Sequence, residues 1–417
     1  MPTKFSEEEV HNFIYTVGLE NLIVDCPEID NEDDCETVEE DFFLWKIIKR
    51  KALSKIAQVH SSVRYGNFIA SKLKLPTDKT TPMELDFLGT HEDGLFILEL
   101  KVNKPAERNA FSELFAYSNY IADTFSGSGR KDIANILVAP LDAKITRQAF
   151  LYDLLIADRD IIVYYPKFSG DELNTLQLNL HLPSDEDFKG FTNNLLAHEN
   201  MSCVVASFHD LEGWFDSHED EGSLNRYTKE YLSKLSNYTA QLMEAEGLHG
   251  FCFVRKPWKE ISLYYRNSLI ICAVNPFRLS SPVYANAITE QLSKDNKSTF
   301  FEFPTLGFEG RLIGIAERAV RECLTHNHNC EVELPLWEGM VTLFVEVVAT
   351  HNFAFRPTGM LREAYVSHLD GIYARNKADP EYLEDVSMLK INEINNWLRA
   401  WEFMRGCGFD EGEDGSE

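Results

Sequence analysis

The segment Met83-Glu84-Leu85-Asp86-Phe87-Leu88-Gly89 is followed, after a short turn, by Leu95-Phe96-Ile97-Leu98-Glu99-Leu100-Lys101-Val102. One carboxylate sits near the end of the first apolar run. A second carboxylate and a lysine sit on the next run, two residues apart. Side chains of a strand alternate faces, so Glu99 and Lys101 point one way and Leu98, Leu100 and Val102 the other. A carboxylate and an amine buried between apolar neighbours are costly unless something pairs them. A divalent cation and a phosphate group would do so.

Around this hairpin the chain predicts alternating helices and strands. Phe42–Val59 reads as an amphipathic helix with a basic face, and Tyr65–Leu73 as a second helical piece broken by Leu75-Pro76-Thr77-Asp78. The strands Glu84–Leu88 and Leu95–Val102 flank Gly89-Thr90-His91-Glu92-Asp93-Gly94, whose Asp-Gly is a hairpin signal. Asn109–Phe125 reads as a helix, Ile133–Ala139 as a buried strand, Ala143–Ile156 as a helix and Asp160–Tyr165 as another buried strand. Leu173–Leu182 alternates and suits an edge strand. The expected class is α/β, a mixed sheet flanked by helices.

Phosphodiester hydrolysis uses a metal ion to bind the scissile phosphate and acidify a water. Hard oxygen ligands select Mg2+ or Mn2+. Asp86 and Glu99 are the expected ligands, with the backbone carbonyl of Leu100 as a third. Lys101 would orient or deprotonate the water and stabilise charge.

With Asp86 followed thirteen positions later by Glu99-Leu100-Lys101, the chain resembles the PD-(D/E)xK nuclease superfamily over about residues 40–170. The resemblance implies a restriction-endonuclease-like fold, catalytic Asp86, Glu99 and Lys101, and bound Mg2+ or Mn2+. Within that superfamily it looks most like the branch reading "ELD…dG…ElK", which often carries a glutamine and a tyrosine four apart on the next helix. Here Tyr117 matches, and Glu113 stands where glutamine is usual. Glu84, Glu113 and Tyr117 are therefore accessory candidates. The acidic residue often supplied by an upstream helix is missing from Val63–Phe68, so that ligand is either absent or supplied by Glu39, Glu40 or Asp41. Lys104, Arg108, Arg130 and Lys131 are candidate phosphate contacts, as are Lys49, Arg50 and Lys51.

The resemblance implies a Mg2+-dependent endodeoxyribonuclease, acting on DNA in preference to RNA. A nuclease domain fused to an unrelated module suggests bacterial anti-phage defence, by analogy. The rival expectation is a binding or scaffold protein that keeps the fold without cutting.

Length points to two domains: residues 1–190 with the nuclease-like site, and 195–405 for regulation, recognition or oligomerisation through a second copy or a protein partner, with 406–417 an acidic disordered tail. The second half is expected to be α/β or α+β. Its strands are Ser202–Phe208, Phe251–Arg255, Ile261–Tyr265 and Leu269–Val274. Its helices are Asn225–Glu246, Ala285–Leu292, Arg311–Thr325 and Pro380–Trp401.

The net charge of −27 argues against nucleic-acid binding by bulk charge and leaves room for a local basic patch. No apolar run approaches a membrane span, and Met1–Glu9 lacks the pattern of a signal peptide, so the cytoplasm is the expected compartment. Eight scattered cysteines without a CxxC pair fit buried thiols in a reducing compartment. Cys323, His326, His328 and Cys330 are zinc-type residues, but their tight spacing favours a polar turn. Ser207 with His209-Asp210 suggests a triad by residue type alone. Trp214, Phe251, Phe253, Trp258, Tyr264 and Tyr265 suit a core, or a stacking pocket.

Overall fold

A computed structural model describes residues 5–25, 44–75, 83–102, 107, 109–125, 132–192, 200–208, 226–257, 267–278, 286, 288–323, 330–335, 350–378 and 397–404. The chain divides into two compact units: Met1–Glu39 with Ile48–Lys189, and Glu40–Ile47 with Gly190–Glu417. Each is α/β, built on a sheet flanked by helices.

In the first unit the elements run α1 (Glu7–Val17), α2 (Leu44–Arg64), β1 (Asn67–Leu75), β2 (Met83–His91), β3 (Gly94–Leu100), α3 (Ala110–Thr124), β4 (Ile133–Val138), α4 (Lys144–Leu155), β5 (Ile161–Phe168), β6 (Leu176–Leu180) and α5 (Asp185–Thr192). The sheet order is β1-β2-β3-β4-β5-β6. Pairing is antiparallel from β1 to β3, parallel through β4 and β5, and antiparallel again at β6. All residues of β4 are buried, as a parallel strand covered on both faces requires.

Residues expected to form a second helical piece, Tyr65–Leu73, instead supply β1. This strand lies at the sheet edge, and Lys72 within it has φ of +48°, which breaks the simple two-residue period. Helix α1 lies in a region read only for a signal peptide. It starts with a capping box in which Ser6 and Glu9 satisfy each other's backbone and side-chain groups.

Gly89 lets β2 and β3 close together. A Cβ there would overlap the Phe96 ring and come 2.7 Å from the Asn67 carbonyl.

The second unit contains β7 (Met201–Phe208), α6 (Arg226–Ala245), β8 (Gly250–Pro257), β9 (Asn267–Val274), α7 (Lys294–Cys323), β10 (Glu331–Glu333), β11 (Thr350–Thr358), α8 (Met360–Ala378) and α9 (Trp397–Met404). Its sheet, ordered β10-β7-β9-β8-β11, is antiparallel throughout. Val204, Phe208, Leu235, Ile271, Leu312 and Ala316 belong to one buried cluster between this sheet and helices α6 and α7. Helix α7 begins well before the expected Arg311. The expected strand Ile261–Tyr265, and most of the expected helix Pro380–Trp401, lie outside the described residues. Among the described residues, no helix is long and apolar enough to cross a membrane.

Candidate active site

The register of the hairpin explains why Asp86 and Glu99 meet. The β2–β3 ladder begins at Phe87↔Leu98, and one further step sets Asp86 opposite Glu99. There the strands part. The Asp86 carboxylate, through Oδ2, accepts the backbone N–H of Leu100 at 2.9 Å, standing in for the ladder. On the far side, β3 stays paired to β4, and the N–H of Lys101 donates to the Val138 carbonyl at 2.8 Å.

Glu99 is 2% exposed. Its Oε1 lies 2.6 Å from the Lys101 ammonium, while Oε2 is buried and has no hydrogen-bond partner. Lys101 also lies 2.8 Å from Oε2 of Glu113 on α3. One turn further along that helix, four residues on, Tyr117 is buried within reach of the charges of Glu99 and Glu113. Asp86, Glu99, Lys101, Glu113 and Tyr117 therefore converge, with Asp86 and Glu99 on adjacent strands, Lys101 just past the end of β3, and the last two on α3.

Burial pushes the Glu99 carboxyl up to about 9, with the nearby Asp86 charge adding to the rise. Burial likewise raises Asp86, against the lowering effect of the Leu100 N–H. For Lys101, burial works to lower the value, but the Glu99 charge and the hydrogen bonds to Glu113 and Glu99 prevail and raise it above the ordinary lysine value. Burial, then the charges of Glu99 and Glu113, pushes Tyr117 up to about 12, so its phenol keeps its proton.

A half-buried carboxyl and a buried one, the first raising the proton affinity of the second and the second carrying an unsatisfied oxygen, fit a hard divalent cation. Mg2+ is commonly held by one or two carboxylates and completes its shell with water. They do not fit a closed structural zinc site. Among the described residues, no group of three or more His, Cys, Asp or Glu side chains is arranged to hold a metal ion.

The remaining candidates separate from this centre. Glu84 is exposed and stands opposite Lys74 of β1. Lys49 pairs with Asp185 at 2.8 Å, and Lys51 lies 3.8 Å from Asp158, so part of the basic face of α2 is tied to acids of its own unit. Lys104, Arg108, Arg130 and Lys131 lie outside the described residues, as do Glu39, Glu40 and Asp41. Cys323 and Cys330 pack against the second unit's core and burial raises both thiols; His326 and His328 lie outside the described residues. Ser207 Oγ is 3.2 Å from Ser268 Oγ, and His209 and Asp210 are outside the description. Phe251 and Phe253 are core residues; Trp214, Trp258, Tyr264 and Tyr265 are not described.

Sequence reasoning missed His11. This residue of α1 is 3% exposed, and its Nε2 lies 3.2 Å from the Asp86 carbonyl oxygen. The Ser6-x-x-Glu9 capping box was the available signal for its helix.

Comparison of the chain with protein-family models, with curated proteins and with solved structures finds no match.

Proposed function

We propose that the first unit is a metal-dependent endonuclease domain of the PD-(D/E)xK type, hydrolysing phosphodiester bonds of DNA with Mg2+ or Mn2+. The observation that carries this reading is the buried Oε2 of Glu99, unsatisfied beside Asp86, with the Lys101 ammonium 2.6 Å from the other oxygen of the same carboxyl. An antiparallel hairpin continued by the parallel strands β4 and β5 is also the scaffold such a site needs.

Asp86, Glu99 and the carbonyl of Leu100 would hold the cation. When bound, it supplies a Lewis acid for the phosphate and a more acidic water. The Leu100 N–H fixes the Asp86 carboxylate. Lys101 keeps its proton, so its role is to stabilise negative charge on the phosphate and not to take a proton from water. Glu113 shares that ammonium with Glu99. Tyr117 retains an O–H to donate. The second unit would regulate, recognise or assemble, and a place in bacterial defence rests on analogy alone.

One observation favours the rival reading, a nuclease-fold scaffold that does not cut. Lys101 is already paired with Glu99 and Glu113, and among the described residues no group of three or more His, Cys, Asp or Glu side chains is arranged to hold a metal ion. Incubating plasmid and single-stranded DNA with the full chain, in Mg2+, Mn2+ or EDTA, separates the two. Metal-dependent cutting that the Lys101→Ala protein lacks supports the nuclease. Equal cutting by both proteins, or none by the wild type under any of these conditions, refutes it.

A further inference from the structure

Asp86 has no ladder partner on either side. Toward β3, the regular ladder stops at Phe87↔Leu98, and a side-chain bond to Leu100 takes over. Toward β1, the ladder passes from Ser71↔Phe87 to Leu73↔Leu85 without pairing Lys72 to Asp86. Lys72, at φ +48°, is in the left-handed region that a residue with a Cβ rarely adopts. The Asp86 peptide thus has no ladder partner on either neighbouring strand.

Helix α1 supplies the missing constraint. His11 Nε2 lies 3.2 Å from the Asp86 carbonyl and 3.4 Å from Ser71 Oγ. A carbonyl only accepts, so Nε2 carries the proton. The imidazole stacks on Phe87, the next residue of β2, with centroids 4.2 Å apart and planes 18° apart. One turn earlier, Glu8 pairs with Lys72 at 3.4 Å. The same helix face therefore grips the interrupted strand and the acid opposite it. Nδ1 of His11 is buried and without a hydrogen-bond partner, so the ring is held by Nε2 and by stacking.

We infer that His11 is a positioning residue: through the Asp86 carbonyl and the Phe87 ring, it fixes the backbone from which the Asp86 carboxylate reaches the cation. This rests on the metal-dependent reading of the site. The residues that hold a ligand in place commonly change metal affinity about 10- to 100-fold when removed.

The test measures Mn2+ binding directly, by calorimetry and by the electron paramagnetic resonance of free Mn2+, on the full-length chain. His11→Leu removes the donor at similar bulk and is expected to weaken Mn2+ binding about tenfold or more. His11→Gln places an amide N–H near the Nε2 position and is expected to stay within about threefold of wild type. His60→Leu is the control. His60 is equally buried, lies 3.0 Å from Tyr164 OH on β5, and has an unpartnered Nε2, but does not touch Asp86. It should lower stability and leave Mn2+ affinity unchanged.

Wild-type affinity in His11→Leu overturns the inference, as does equal weakening by His60→Leu. Should His11→Leu fail to fold, His11→Gln against the shorter His11→Asn gives the same comparison, and equal affinities in that pair overturn it. A wild type that binds no Mn2+ overturns both this inference and the metal-dependent reading. One that binds Mn2+ indifferently to His11 overturns this inference alone.

Discussion

A carboxyl pushed up to about 9 by burial, as Glu99 is, makes the folded chain bind more protons than the unfolded chain from about pH 4.5 to about pH 9. The stability this group contributes is fully present below its ordinary value and is lost as pH rises through the folded value. The slope is at most about 1.4 kcal/mol per pH unit. In EDTA, the urea midpoint should therefore fall between about pH 5 and about pH 9, and Glu99→Gln should flatten that fall. A Glu99→Gln protein with the wild-type slope would show that the burden lies elsewhere. The same residue links metal to protons. A cation held by Asp86 and Glu99 needs both ionised, so Mn2+ binding near neutrality should release up to about one proton. Calorimetry in buffers of different ionisation enthalpy reads that number, and a value of zero would count against Glu99 as a ligand. Lys101 has the opposite character: its charge persists, and removing it should cost about 10²–10³-fold in cleavage rate, measured at saturating metal. The juxtaposition of Glu99 and Lys101 was legible because strand alternation fixes which side chains share a face. His11 was not, because its contact is to a backbone carbonyl 75 residues away and leaves no pattern in composition or spacing.

At the level of elements, the hairpin depends on the close approach of β2 to the Phe96 ring. Gly89→Ala should destabilise the fold by about 2 kcal/mol, since the added Cβ meets that ring and the Asn67 carbonyl. Urea midpoints of the two proteins measure this, and an unchanged midpoint would mean that β1 and β2 can separate at little cost. Lys72 makes the converse case. Glycine adopts its φ of +48° freely, so Lys72→Gly should stabilise the fold by about 1 kcal/mol, less whatever the exposed pair with Glu8 contributes. Buried runs such as Ile133–Val138 announced themselves as strands because both faces are covered. The edge strand β1 did not. Its residues alternate only partly between exposed and half-buried, with a bulge after Phe68 and the left-handed Lys72, so a helical period fitted Tyr65–Leu73 as well as a strand period did. Secondary structure at a sheet edge is decided by one neighbour, and the sequence of the edge alone does not contain that neighbour.

Over the whole molecule, charge sets the terms on which a polyanion is met. At −27 the chain repels DNA at long range, and attraction must come from a local patch. The basic face of α2 supplies less of such a patch than its sequence promised, because Lys49 is tied to Asp185, and both Lys51 and Lys55 lie against Asp158. Each phosphate neutralised by a lysine or arginine releases counterions and steepens the salt dependence of binding by about 0.9 per contact. With these cations internally paired, the plot of log affinity against log salt for duplex DNA, taken in Ca2+ or with Lys101→Ala to prevent cutting, should have a slope shallower than about −3. Lowering the salt further should gain little, since screening of the chain's own negative field weakens at the same time. Fluorescence anisotropy with a labelled duplex across a salt series measures the slope. A slope of about −6 or steeper would place several strong phosphate contacts beyond the paired lysines of α2, and Lys104, Arg108, Arg130 and Lys131 would then be the first to replace, singly, with each true contact reducing the slope by about one.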